Sequence, residues 1–421
     1  MKSRKKIPGD KCVDNTLKLL LEGYQFIPNR CLKYENDIFH TRLLGQKVIC
    51  MSGAEAAKVF YDNSHFTRKG AMPKRIQKTL FGKKGVQTLD GSAHLHRKKL
   101  FLSMMTPSRI DNLIQLTKKQ WHQSSKQWEK KEQISLFDET QLLLCLAACK
   151  WTGVPINRYE VKQRARDFGA MVDAFGGVGM RYWEGKCARK RAEQWIKKII
   201  EEIRSNKLDA PLGSALYDIT WHRDLNGILL DTQVAAVELI NMIRPIVAIA
   251  TYIIFGALAL KEHPKCLKRL QSKDSLYTTM FVQEVRRLYP FGPFLGARVR
   301  NDFLWHNYRF KKRALVLLDL YGTNHDPRLW VLPNRFLPER FQYRKDTPYD
   351  FIPQGGGNKE TGHRCPGELV TIKIMKVSMG FLANNIDYEV PVQDLSYSLV
   401  RMPTLPKSKF IMEKVKRKVS V

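Results

Sequence analysis

Phe351-Ile352-Pro353-Gln354-Gly355-Gly356-Gly357-Asn358-Lys359-Glu360-Thr361-Gly362-His363-Arg364-Cys365-Pro366-Gly367-Glu368 carries more architectural information than any other run in this chain. Three consecutive glycines lie near its start, one cysteine near its end, and Pro366-Gly367-Glu368 leads into an apolar, helix-like run. The cysteine sulfur is therefore expected near a helix N-terminus, where the dipole and free N–H groups favour thiolate. A thiolate is a nucleophile or a metal ligand, whereas a cysteine in a loop is often inert.

The surroundings narrow the choice. The nearest other cysteine in sequence is Cys266, and nothing around Cys365 has the ligand spacing of a zinc or iron–sulfur site. A metal held by one thiolate points to haem. Upstream, residues 326–353 form an irregular run with five prolines, and so long a structureless stretch inside a folded chain tends to be functional. It contains Pro338-Glu339-Arg340-Phe341. Earlier still, Glu284 and Arg287 stand at i and i+3 on a helix ending at Pro290, hence on one face. Alone such a pair is usually solvated and worth little. Glu284, Arg287 and Arg340 together would lock the irregular stretch against the helix and hold the Cys365 loop still.

Glu284-Val285-Arg286-Arg287, then Pro338-Glu339-Arg340-Phe341, then a Cys-x-Gly loop before a helix resembles, in order and spacing, the cytochrome P-450 superfamily over the whole chain. The resemblance implies a mainly α fold with a small β component and one domain over residues 1–421. It also implies haem b between the long central helix and the cysteine loop, with Cys365 as axial ligand. One departure is informative. The usual form has Phe seven residues before the ligand, whereas Phe351 stands fourteen before Cys365. That lengthened loop is similar to the peroxygenase branch, bacterial fatty-acid hydroxylases and decarboxylases.

The central helix starts at Asp231-Thr232, which can cap it, and stops at Lys261-Glu262-His263-Pro264. Its longest charge-free run, Pro245–Leu260, is shorter than the ~20 residues needed to span a bilayer, so a buried helix is expected rather than a transmembrane one. Arg244 places a full charge inside it. Pro245 removes the N–H that would bond the Asn241 carbonyl, so a kink is expected there. A buried unpaired charge is costly, so Arg244 needs an anion. Glu238 lies six residues away on a different face. The guanidinium either snorkels to the surface, pairs with a distant carboxylate, or meets the carboxylate of a substrate, and the last is preferred.

In most of the superfamily this helix carries an acid and alcohol pair, and here Arg244-Pro245-Ile246-Val247-Ala248 replaces it. The resemblance then implies that a long-chain fatty acid held by Arg244 restores the missing acid–base group, with hydrogen peroxide as oxidant and no obligatory redox partner. An anchored carboxylate presents its α and β carbons for hydroxylation, with some decarboxylation. Gln87 stands where some decarboxylating members have His; an amide cannot hold a proton as imidazole does, so hydroxylation is expected to dominate. Arg68, His94, Lys98 and Arg298 are candidates for the haem propionates, and Phe81, Val172, Phe175, Phe291, Phe294 and Leu295 for the acyl channel. The competing reading keeps the fold but makes the protein a monooxygenase fed by a ferredoxin or flavodoxin on a basic docking face.

Composition agrees with an ordinary globular enzyme of 421 residues with 43% hydrophobic side chains. Gly and Pro, 26 and 19, are too few for a collagenous or low-complexity chain. The excess of 72 Lys+Arg over 40 Asp+Glu leaves +32, a field that attracts anionic surfaces non-specifically. No zinc-finger spacing or RNA-binding signature turns that charge into specific nucleic-acid recognition. Eight cysteines without a CxxC pair, and a basic start with no apolar core behind it, make a cytoplasmic protein the expectation.

Overall fold

The computed structural model describes residues 5–10, 12–157, 159–345 and 347–418. Part of the basic opening run, residues 1–4 and Lys11, lies outside the described residues. The helices that build the site are α1 (Gly91–Ser103), α2 (Pro107–Trp128), α3 (Leu136–Thr152), α4 (Val161–Asp173) and α5 (Met180–Arg204). They are followed by α6 (Thr232–Ala248), α7 (Ala250–Glu262), α8 (Ser275–Leu288) and α9 (Glu368–Asn384). Local chemistry starts and stops them. Thr106 accepts the Arg109 N–H ahead of Pro107 in α2, Ser135 caps α3 and Gly153 ends it at φ 78°, and Asp274 accepts two N–H groups of α8. On α5 the buried stripe is Ala192, Ile196, Ile199, Ile200 and Ile203, while Trp195 stays half-buried under the Arg164 guanidinium, 4.7 Å from its ring centroid.

Asp231 accepts the Val234 N–H at 3.2 Å and opens α6. From Thr232 to Glu262 the chain is long and apolar enough to cross a membrane, longer than the charge-free run alone indicates, yet 94% of its most apolar window is buried inside the protein. It is the central element, α6 packing on α3, α4 and α5, and α7 on α3, α8 and α9. The helix runs through Pro245, and its register changes four residues later, where the Ile249 N–H bonds Ile246 O at 3.1 Å.

The strands of the largest sheet are β1 (Ile38–Leu43), β2 (Gln46–Met51), β3 (Phe66–Thr67), β4 (Phe294–Val299) and β5 (Leu315–Asp319). They form one sheet in the order β1-β2-β5-β4-β3, antiparallel except for β2 against β5. The β1–β2 turn is Leu44-Gly45, at φ 51° and 73°. Two residues at positive φ match the strand twist, which leaves Gln46 free to pair with Leu43.

Candidate active site

The long loop before α9 folds on its glycines. Gly355 and Gly357 sit at φ 88° and 79°, and a Cβ at either would come within 2.8 to 3.0 Å of Tyr61 atoms, so only glycine fits. The Asn358 side chain closes the inserted turn by accepting the N–H groups of Glu360 (2.7 Å) and Thr361 (2.8 Å). Cys365 donates its N–H to Gln354 O at 3.3 Å, and the Gln354 side-chain amide lies 4.0 Å from the sulfur. The Gln354 side-chain oxygen Oε1 accepts Arg286 Nη2 at 3.0 Å. Arg286, 1% exposed, also pairs with Glu368, whose second oxygen accepts Arg364 Nε at 2.7 Å.

The thiol itself corrects an expectation. The Gly367 N–H, Lys98 and Arg286 do pull its pKa down, but desolvation outweighs them and the net shift is upward. A thiolate at Cys365 therefore needs a bound cation such as iron, which deprotonates a coordinating thiol outright.

Glu284, Arg287 and Arg340 meet. Arg287 donates two bonds of 2.8 Å to the two oxygens of Glu284, and both side chains are fully buried. Arg340 Nε reaches the same carboxylate at 3.1 Å. The remaining guanidinium donors hold carbonyls of the irregular run and of Asn324 just before it: Arg287 those of Asn324, Pro333 and Arg335, Arg340 those of Val331, Leu332 and Arg335.

Other candidates divide. Arg68 is buried, with one long hydrogen bond to Phe60 O (3.4 Å) and the Phe60 ring 4.3 Å away, and burial pushes its pKa down to about 10. Lys98, buried on α1, donates to Gly362 O and, at 3.0 Å, to Arg364 O in the cysteine loop; burial lowers it to about 8. His94 stacks on His363 at 4.0 Å, is driven to about 3 chiefly by desolvation, and is thus neutral. Arg298 stands apart, with each guanidinium nitrogen on a protein acceptor: Gly70 O, Arg313 O and Gln46 Oε1.

Among the described residues no three His, Cys, Asp or Glu side chains gather as a metal site. A metal here would be held by one cysteine and a ligand of its own, and the buried Arg68 and Lys98, bonded to carbonyls only, suit a group that brings its own carboxylates. These residues fit haem.

Arg244 is 6% exposed on α6. Its Nε has no hydrogen-bond partner, and its guanidinium lies 5.5 Å from the Phe81 ring centroid. Burial, then repulsion from Arg189, lowers its pKa to about 9, while the field of Cys365 acts in the opposite sense. Glu238 is engaged elsewhere, accepting Arg97 Nη1 at 2.6 Å and the Asn241 amide at 3.3 Å. That amide also approaches Phe81 O and Gln87 Oε1, at 3.1 and 3.3 Å.

The six apolar candidates come from several elements. Phe175 and Phe294 rings lie 6.4 Å apart and Phe81 lies beneath Arg244. Phe291 packs on Tyr252 (4.9 Å) in the main helical core, and Leu295 belongs to the core beside the sheet. Val172 is half-buried near the end of α4. The polar partners Arg97, Asn241, Arg286, Gln354, His363 and Glu368 escaped sequence reasoning. His363 and Gln354 lie inside the decisive loop, and Asn241 one turn before Pro245, so proximity in sequence was the available signal.

A family model described as Cytochrome P450 matches residues 259–413. Among solved structures, Cytochrome P450EX alpha (CYP152N1) with myristic acid superposes at TM-score 0.95 with 46% identity, covering 98% of this chain and 100% of that one. Cytochrome P450SP alpha (CYP152B1) in complex with (R)-ibuprophen gives 0.93 and 45% over 96% and 99%, and ligand-free cytochrome P450 OleT 0.95 and 37% over 98% and 100%. A more distant relative is Protopanaxadiol 6-hydroxylase of Panax ginseng, 22% identical over 92% of this chain and 88% of its own length. The chain belongs to the cytochrome P450 family and is a haem-thiolate oxidoreductase.

Proposed function

We propose that this protein is a cytoplasmic peroxygenase, working as one domain over residues 1–421, that hydroxylates long-chain fatty acids at the α or β carbon with hydrogen peroxide. The observation that carries the reading is Arg244, a buried cation whose Nε lacks a partner and whose nearest buried carboxylate on the same helix, Glu238, is already paired. Myristic acid and ibuprofen, bound by two of the similar proteins, are both carboxylic acids.

Cys365 would hold the haem, which when bound would supply the activation of hydrogen peroxide as oxidant. Arg68 and Lys98 would hold its carboxylates, and the Glu284, Arg287 and Arg340 ion pairs keep the loop in place. Arg244 binds the carboxylate of the fatty acid and fixes it over Phe81. That carboxylate takes a proton from one oxygen of hydrogen peroxide and returns it to the other, which leaves as water, the general acid–base role that the residues of α6 do not provide. Fixing the head group presents the first carbons of the chain and leaves the distant ones out of reach. Gln87, a neutral amide bonded to Asn241, supplies no second proton, so hydroxylation outweighs decarboxylation.

The test is incubation of the purified holoprotein with hydrogen peroxide and saturated fatty acids, with no reductase, followed by mass spectrometry. The reading requires 2- or 3-hydroxy acids; turnover only with a ferredoxin or flavodoxin and a reductase would replace it with the monooxygenase reading.

A further inference from the structure

The positive charge is not spread evenly. Residues 68–85 hold seven cations and no carboxylate. This segment forms a short helix at Lys74–Ile76 and a π-turn at Gln77–Phe81. It is tied to the start of α5: Arg75 donates to Gly177 O at 2.5 Å and lies 5.0 Å from the Tyr182 ring, and Arg189 donates to Leu80 O at 3.0 Å. Beside it the loop before α5 and the first turn of that helix carry apolar side chains outward: Val178 is 52% exposed, Met180 82% and Trp183 54%. Soluble proteins place single apolar groups at the surface freely, but three within six residues, rimmed by lysines, form a patch. Lys74, Lys78 and Lys190 are exposed around it, and Lys186 extends over the Trp183 ring at 4.3 Å. Of the acids nearby, Asp173 is bound by Arg181 and Arg401, which leaves Glu184 as the exposed carboxylate on this part of α5.

We infer that this patch docks the protein on an anionic lipid bilayer. An aromatic ring and thioether enter the headgroup boundary while the surrounding lysines meet the lipid phosphates, a combination that either element alone binds weakly. A protein partner of acidic surface would match the lysines but not the outward Met180 and Trp183. Lys74 and Lys78 share their segment with Phe81, whose ring centroid lies 5.5 Å from the Arg244 guanidinium, so a docked molecule would receive an amphiphile directly from the membrane. The docking itself does not depend on the fatty-acid reading; only its purpose does.

The experiment uses full-length holoprotein and vesicles of phosphatidylcholine, alone or with an equal part of phosphatidylglycerol. Sedimentation is expected to show at least about tenfold tighter binding to the anionic vesicles. Brominated acyl chains should quench the protein fluorescence, and Trp183→Phe should remove most of that quenching. Lys74→Glu with Lys78→Glu should weaken binding about tenfold, whereas Lys265→Glu with Lys268→Glu, exposed on another helix, should leave it within about twofold. Met180→Ser with Trp183→Ser is the second variant should the first not fold, checked by circular dichroism and haem absorbance. Equal binding to both vesicle types, quenching unchanged in Trp183→Phe, or equal loss in both lysine pairs would overturn the proposal.

Discussion

Arg287 and Arg244 are both buried guanidiniums on helices flanking the cysteine loop, and their surroundings are opposite. Arg287 has a bidentate carboxylate and three backbone carbonyls; Arg244 has an aromatic ring, an unpartnered Nε and a like charge from Arg189. The same chemical group is thus a fastener in one place and an open valence in the other. Stability accumulates where the chain completes its own pairs, and specificity where it leaves one incomplete for a guest.

The largest expected effect removes what both regions surround. Cys365→Ala should abolish the carbon monoxide difference spectrum of thiolate-ligated haem, and with it peroxide-driven turnover; an unchanged spectrum would assign the iron to another ligand. Next, Glu284→Ala strands Arg287 and Arg340 in the interior, which should cost about 3–5 kcal/mol in urea unfolding. A loss below ~1 kcal/mol would put this trio among ordinary surface pairs.

At Arg244 the sign should reverse. Arg244→Leu removes a desolvated cation that lacks a partner, so the substrate-free protein should gain about 2 kcal/mol while fatty-acid oxidation falls below detection and haem remains bound. The pH dependence has the same origin. With the folded pKa near 9 and the unfolded one above 12, the unfolded chain holds the extra proton between those values. Wild-type stability should therefore rise with pH above about 9 by this contribution, and the Leu variant should lack it.

How far the sequence could be read follows from the same contrast. Glu284 and Arg287 are legible together because helical geometry brings i and i+3 to one face. Arg340 arrives from 56 residues away and was legible only through the Pro338–Phe341 turn. Arg244 stands out as a charge within an apolar run, which needs no neighbour to be noticed. Arg286 bridging to Gln354, 68 residues on, has no such signature, since an arginine beside a paired arginine reads as one more surface charge. The thiol shift was misjudged because helix-end effects can be read from local order, whereas desolvation depends on everything packed around the sulfur. Which core an apolar side chain joins is equally a matter of tertiary packing: Phe291 packs against the main helical core and Leu295 against the one beside the sheet.

A smaller test uses an anion in Arg244's position. Asp319 is fully buried, held only by neutral donors, Gly322 N–H at 2.8 Å and Ser52 Oγ at 3.3 Å, and burial pushes it up to about 7. Its folded carboxyl keeps a proton that the unfolded chain releases near pH 4, so this stabilisation is complete below pH 4 and lost as pH rises through about 7. Asp319→Asn should flatten that slope by about 1–2 kcal/mol between mildly acidic and neutral urea titrations, and an unchanged slope would assign it to other groups.

The central claim is that Arg244 is held open for a carboxylate, and calorimetric titration with tetradecanoic acid and tetradecanol tests it most directly. The acid should bind wild type about 100-fold tighter than the alcohol, ~2.7 kcal/mol, and the difference should vanish in Arg244→Leu. Equal affinity of acid and alcohol for the wild-type protein would contradict it.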